Sequence, residues 1–302
     1  PSIQNAIPIP YFGTNVFAAP GIGIISGLVM FGLGAMWLQS RANKAQSKGE
    51  GYGVDTQESE KLTDGVTSQG HMPILLALLP LLLVIGVNAL FTYVIFPSVD
   101  FSSLKDLYPK LEPAKQTGLW SLIIALVVAC LSLVLFRLGK WHNLKDTVNK
   151  GVLGSMLPIF NTASEVGYGA VVASLAGFVV IRDMVLNVSS NPLVSEAVAM
   201  NILAGITGSS SGGMSIALQT LGADYLAMAN AAGISPELLH RIAALAAGCL
   251  DTLPHSGAII TLLAICGMTH KQSYGNVAMC TVVIPMVSVV VAITLGTVFG
   301  SF

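Results

Sequence analysis

The chain has 302 residues, of which 53% are hydrophobic and only 10% charged, with a formal net charge of −1. Soluble domains carry about 25% charged residues, so a surface facing water on every side is excluded and the apolar surface must be hidden in lipid. The near-zero charge also leaves no electrostatic footprint for a nucleic-acid partner.

In chain order, the first segment is PSIQNAIPIPYFGT, residues 1–14. Pro8 and Pro10 each remove a backbone donor and crowd the preceding turn, so no regular helix is expected to run through it. A broken helix and a loop ahead of a spanning helix both fit. Four segments then have the length of about 20 apolar residues that a bilayer requires. They run over roughly 19–38, 74–96, 118–138 and 277–299. Between Lys150 and Lys271 lies a longer apolar stretch, divided into blocks at about 151–185, 193–221 and 238–268. Residues 39–71 are polar and rich in Gly, Ser and Gln, and are expected to form a flexible loop.

The cations orient the spans. Arg41, Lys44 and Lys48 follow the first, and Arg137, Lys140, Lys145 and Lys150 follow the third, so both loops are expected on the cytoplasmic side. Lys105, Lys110 and Lys115 are balanced by Asp100, Asp106 and Glu112, which suits an outer loop at 97–117. Lys271 marks a further cytoplasmic turn and places Phe302 outside. These assignments agree if the middle region makes one full crossing, one re-entrant hairpin and another full crossing.

Three polar clusters interrupt the apolar blocks. The first, NTASEVGYG at 161–169, carries Glu165, and a carboxylate at membrane depth marks function by default. If helical, it sets Asn161, Glu165 and Tyr168 on one face; a polar packing contact between helices is the alternative. The second, GITGSSSGGMS at 205–215, would melt the centre of any helix. Irregular backbone is tolerated in a membrane only inside protein or around a water-filled cavity. Two half-helices meeting at such a tip would present N–H groups and a positive dipole end suited to an anion. A Gly/Ser loop outside the membrane is the other reading. The third, DTLPHSG at 251–257, is broken by Pro254 and Gly257 and sets Asp251, His255 and Ser256 in apolar surroundings.

Arg182 and Arg241 are the fixed cations between Lys150 and Lys271, and both are expected near segment ends at the outer interface. A carboxylate substrate would then be neutralised by half-helix N-termini, hydroxyls and a co-transported cation. Cys130, Cys249, Cys266 and Cys280 form neither a CxxC nor a metal spacing and read as small packing residues. HExxH and Walker-type loops are absent from the sequence; GSSSG at 208–212 fits the spacing GxSxG but sits in a Gly-rich run with no nucleophile-elbow pattern, so the chain reads as a transporter and not an enzyme. An anion channel, and a membrane hydrolase using Asp251 and His255, are the rival readings.

The stretches SIQNAIPIPYFGT, LPIFNTASEVGYGAVVASLAGF, GITGSSSGGMSIAL and CLDTLPHSGAIITLL resemble, in order, the gluconate permease (GntP) family of ion-coupled organic anion transporters. The resemblance implies an all-α membrane fold of two inverted repeats, each with a re-entrant hairpin and a broken helix. Residues 1–38 would end the first repeat, 39–73 would be a cytoplasmic loop, and 74–302 the second repeat. Its hairpin would lie at about 193–221 and its broken helix at about 238–268. The earlier helices of the first repeat are expected ahead of Pro1. The family's substrates are gluconate, related sugar acids, 3-hydroxybutyrate or D-serine. The resemblance assigns substrate contacts to Ser2, Gln4, Asn5, Asn161, Thr162, Thr207, Ser209, Ser210, Ser211, Gly212, Thr252, His255 and Ser256. Glu165 or Asp251 is assigned the coupling proton, with sodium as the alternative ion, because an ionised carboxylate in lipid is costly. No cofactor is implied. A homodimer in the inner membrane is the expected assembly.

Overall fold

The computed structural model describes the backbone of residues 3–50, 74–101, 113–136 and 144–302. Ser2 and most of the expected loops 39–73, 97–117 and 137–150 lie outside the described residues. What is described is helical, and no strand occurs among those residues.

Helices α1 (Ile3–Ala6) and α2 (Ile9–Phe12) are single turns separated at Ile7 and Pro8. Gly13, at φ 65°, takes the left-handed conformation that ends α2. Helix α3 (Pro20–Ser47) starts with Pro20, whose missing N–H costs nothing at a first helical position. It runs past Leu38 into the expected loop. The residues after Leu38 contain no breaker, Gln39 bonds Asn43 one turn on, and the helix stops only at Gly49, φ 67°. Helices α4 (Ile74–Leu90) and α5 (Pro113–Phe136) follow. A π-turn, Phe91–Ile95, and a short 3-10 turn, Phe96–Ser98, extend α4.

Helix α6 (Leu144–Ser174) is unbroken through 161–169. The apolar block 151–185 instead breaks at 175–177, where Gly177 precedes α7 (Phe178–Leu186). Next come α8 (Pro192–Thr207) and α9 (Ser210–Ala231), then α10 (Pro236–Ala246) and α11 (Gly257–Ile265). Helix α12 (His270–Ala278), a second π-turn (Met279–Val283) and α13 (Ile284–Phe299) close the chain.

Among the described residues, four continuous helical segments are long and apolar enough to cross a membrane: Pro20–Ser47, Leu78–Ser98, Gln116–Phe136 and His270–Phe299. Their surfaces are inverted relative to a soluble protein. Phe31 is 77% exposed and Leu28, Leu135 and Phe299 are also exposed, while Ser26, Ser121 and Ser288 are buried. Exposing large apolar groups is stable when lipid covers them. Along α13 the small residues Ser288, Ala292 and Gly296 recur every fourth position and are buried. This stripe lets α3 and α13 approach closely, and the Ser288 hydroxyl donates to the Ser26 carbonyl at 3.1 Å. The chain is thus an all-helical polytopic membrane protein.

The chain forms two compact units. One comprises Pro1–Ala18, Met72–Asp183 and Ser215–His240. In it, α4 packs on α5 through Val84, Ala125 and Ala129. The other comprises Ala19–His71, Met184–Met214 and Arg241–Phe302, and contains α3, α8 and α13.

Candidate functional site

The second unit joins two helix breaks that lie far apart in sequence. The first is the tip between α8 and α9. Gly208, at φ 64°, ends α8 in the left-handed conformation, and its N–H returns to the Ala204 carbonyl. The Thr207 hydroxyl donates back to the Leu203 carbonyl at 2.9 Å. Ser209 then caps α9: its Oγ accepts from the Gly212 N–H at 3.2 Å, and its carbonyl accepts from the Gly213 N–H at 2.9 Å. The two arms meet backbone to backbone, since a Cβ on Gly213 would run into the Ala204 backbone.

The second break, 247–256, separates α10 from α11. His255 Nε2 lies 2.9 Å from the Gly205 carbonyl, which can only accept, so this nitrogen carries the proton. The Ser256 hydroxyl donates to the Gly208 carbonyl at 2.9 Å. Carbonyls freed by the end of α8 are therefore satisfied by side chains of the second break, as buried backbone groups require. Asp251 completes the pairing from the opposite direction. Its carboxylate takes hydrogen bonds from the hydroxyl and backbone N–H of Ser210, the first residue of α9. A carboxylate suits that position, where the helix dipole is positive. Its Oδ1 is buried without a hydrogen-bond partner.

The α12 end of the same break is also tied. The Thr252 hydroxyl donates to the Thr281 hydroxyl at 2.8 Å, within the second π-turn. The Tyr274 hydroxyl donates to the Thr252 carbonyl at 3.2 Å. Single π-turns inside α-helices frequently mark functional sites.

Of the expected site residues, Ser210 of the tip is thus brought to Asp251, while His255 and Ser256 reach the tip at Gly205 and Gly208; Thr207, Ser209, Ser211 and Gly212 bond within the tip, and Thr252 bonds toward Thr281 and Tyr274. One expectation is altered. The tip was expected to offer open N–H groups to an anion, but in this conformation Asp251 holds that of Ser210, and Ser209 holds those of Gly212 and Gly213.

Gln4 and Asn5 belong to the first unit, on α1. Asn5 lines a cavity of about 100 Å³ with Val16, Phe17, Val84, Ile85 and Asn88. Asn88 is 1% exposed, and both its Oδ1 and Nδ2 are buried without a partner. The segment after α2 is anchored by Thr14, whose Oγ1 lies 2.6 Å from Nδ1 of the buried His240. Asn161, Thr162 and Glu165 lie on the continuous helix α6, and their side chains are outside the described residues. Of the two fixed cations, Arg182 makes a bidentate pair with Asp224, down to 2.9 Å. Arg241 is 9% exposed and packs against Gly23.

The two helix breaks thus satisfy one another inside a largely apolar unit. The chain is similar to the uncharacterized transporter YxjC of Bacillus subtilis. The two are 39% identical over 298 residues, 94% of this chain and 62% of the relative. The chain thus spans less than two thirds of the length of that transporter. No family model and no solved structure matches it.

Several site residues were not singled out from sequence. Thr281 and Tyr274 lack any local signal, because their role comes from contact with Thr252. Asn88 is a lone amide in an apolar span. Glu196, a carboxylate inside the apolar block 193–221, is fully buried. The rule that drew attention to Glu165 applies equally to it.

Proposed function

We propose that the chain forms the larger part of a secondary transporter that carries a small organic anion across the inner membrane by alternating access. The observation that supports this most directly is the joining of the α8–α9 tip to the 247–256 break by His255, Ser256 and Asp251. Such paired breaks put N–H groups and hydroxyls at the centre of an otherwise apolar unit. The similarity to a protein named as a transporter supports the same reading.

In this reading α8 and α9 form a re-entrant hairpin, and the substrate is a hydroxy-carboxylate such as gluconate or 3-hydroxybutyrate. Its carboxylate competes with Asp251 for the donors of Ser210. Uptake of a proton by Asp251 weakens its hold on those donors and frees them for the incoming anion, which couples proton and substrate. The hydroxyls of Thr207, Ser209, Ser211, Thr252 and Ser256 pair with the substrate's hydroxyl groups. Glu165 is a second candidate for proton coupling. Loops 39–73 and 137–150 face the cytoplasm, the C-terminus faces out, and the assembly is a homodimer.

Uptake of labelled gluconate and 3-hydroxybutyrate into proteoliposomes bearing the full-length protein tests this, with a pH or a sodium gradient imposed. Accumulation against the substrate's own gradient is expected, and Asp251→Asn is expected to abolish its dependence on pH. Anion currents without accumulation would instead identify a channel. Absence of both would overturn the transporter reading.

A further inference from the structure

Glu196 lies in the second turn of α8 and is 0% exposed. Both of its carboxylate oxygens are buried without a hydrogen-bond partner. Among the described residues of its own unit, none pairs with it. Helix α13, which packs on α8, carries no titratable residue over Ile284–Phe299, and α8 carries none besides Glu196. Asp251 and His255 act at the far end of α8: His255 reaches Gly205, about 13 Å along the axis at the rise of an α-helix. Arg241 packs on Gly23 of α3, and Lys48 pairs with Glu50. Arg41, Lys44, His270 and Lys271 complete the charged groups described in this unit, and none forms an ion pair with Glu196.

An ionised carboxylate in such a place carries a heavy desolvation cost that nothing offsets. It needs a positive counterpart, and the small ones are a proton and a sodium ion. Polar groups gather at the end where α8 begins. Asn191 caps α8 and donates through Nδ2 to Thr297 near the end of α13, at 3.1 Å. Ser189 and Ser195 exchange hydrogen bonds there, at 3.2 and 3.0 Å. Glu196 therefore sits one turn inward from a polar patch at the face where α13 ends.

We propose that Glu196 is a cation-uptake site of the hairpin, loaded with a proton or a sodium ion from the face where α13 ends and separate from Asp251. The inference rests on the transporter reading above, and it adds one cation to the transport cycle. The neutral isostere Glu196→Gln leaves the shape of α8 unchanged while removing the site. In proteoliposomes of the full-length protein, it is expected to retain exchange of labelled for unlabelled substrate. Its accumulation ratio under a tenfold cation gradient, with membrane potential clamped at zero, is expected to fall about tenfold, the effect of one coupled cation. Whether a pH or a sodium gradient shows the loss distinguishes the two ions. Wild-type accumulation with an unchanged ratio in Glu196→Gln overturns this inference and leaves the transporter reading intact. Failure of the wild type to accumulate overturns the transporter reading itself. Should the variant fail to exchange, dicyclohexylcarbodiimide decides on wild-type protein, because it labels protonated carboxyls in apolar sites. An adduct mapped to Glu196 and suppressed by alkaline pH or by sodium supports the site, and no adduct from acid to alkaline pH overturns it.

Discussion

Residues 161–169 and 205–215 are both polar, both contain glycine, and both lie in apolar sequence, yet only the second breaks its helix. Helix α6 continues through Asn161, Glu165 and Gly167, whereas α8 ends at Gly208 and α9 restarts at Ser210. Part of the difference is composition, since 205–215 adds a run of serines and an adjacent pair of glycines. The larger part is partnership. The backbone groups of Gly205, Gly208 and Ser210 are met by His255, Ser256 and Asp251 of another segment. A helix break in an apolar unit is a property of two segments together, because unsatisfied backbone groups there are too costly for one alone.

The contrast can be broken most severely at Gly213. Gly213→Ala would drive a methyl into the Ala204 backbone. It is expected to destabilise the detergent-solubilised protein by about 3 kcal/mol or more, read from thermal unfolding. Next comes Ser256→Ala, which leaves the Gly208 carbonyl without its donor. A loss of about 2 kcal/mol is expected in the same assay, together with reduced uptake. Gly208→Ala is expected to cost about 1–2 kcal/mol, the penalty of the left-handed conformation for a residue with a Cβ. Its Cβ would also press on Ser256 and His255, at 3.3 and 3.4 Å. The smallest effect has the opposite sign. Gly167 lies mid-helix and a Cβ there meets open space, so Gly167→Ala is expected to stabilise by up to about 1 kcal/mol. If Gly167→Ala destabilised as much as Gly208→Ala, the contrast between the two clusters would be lost.

Much of this architecture is legible from local pattern. Continuous apolar runs reveal all four spans and place the second and third to within a few residues, since the length needed to cross lipid is fixed by its thickness. Pro8, Gly208, Pro254 and Gly257 mark real breaks because their backbone preferences act locally. Other features escape such reading. The end of α3 moves from Leu38 to Ser47 because polar residues without a breaker continue a helix already nucleated. The break at 175–177 rests on a single glycine, too weak a signal against the apolar residues around it.

Order, length and polarity along the sequence therefore settled that this is a helical membrane protein with interruptions at 205–215 and 251–257. They could not settle which interruption serves which. The hydrogen bonds from His255 to Gly205 and from Ser256 to Gly208 span nearly fifty residues and depend on packing that no local propensity encodes. The isolation of Glu196 is likewise a tertiary fact. A carboxylate's chemistry is set by what surrounds it, and its surroundings come from α13 and other segments remote in the chain.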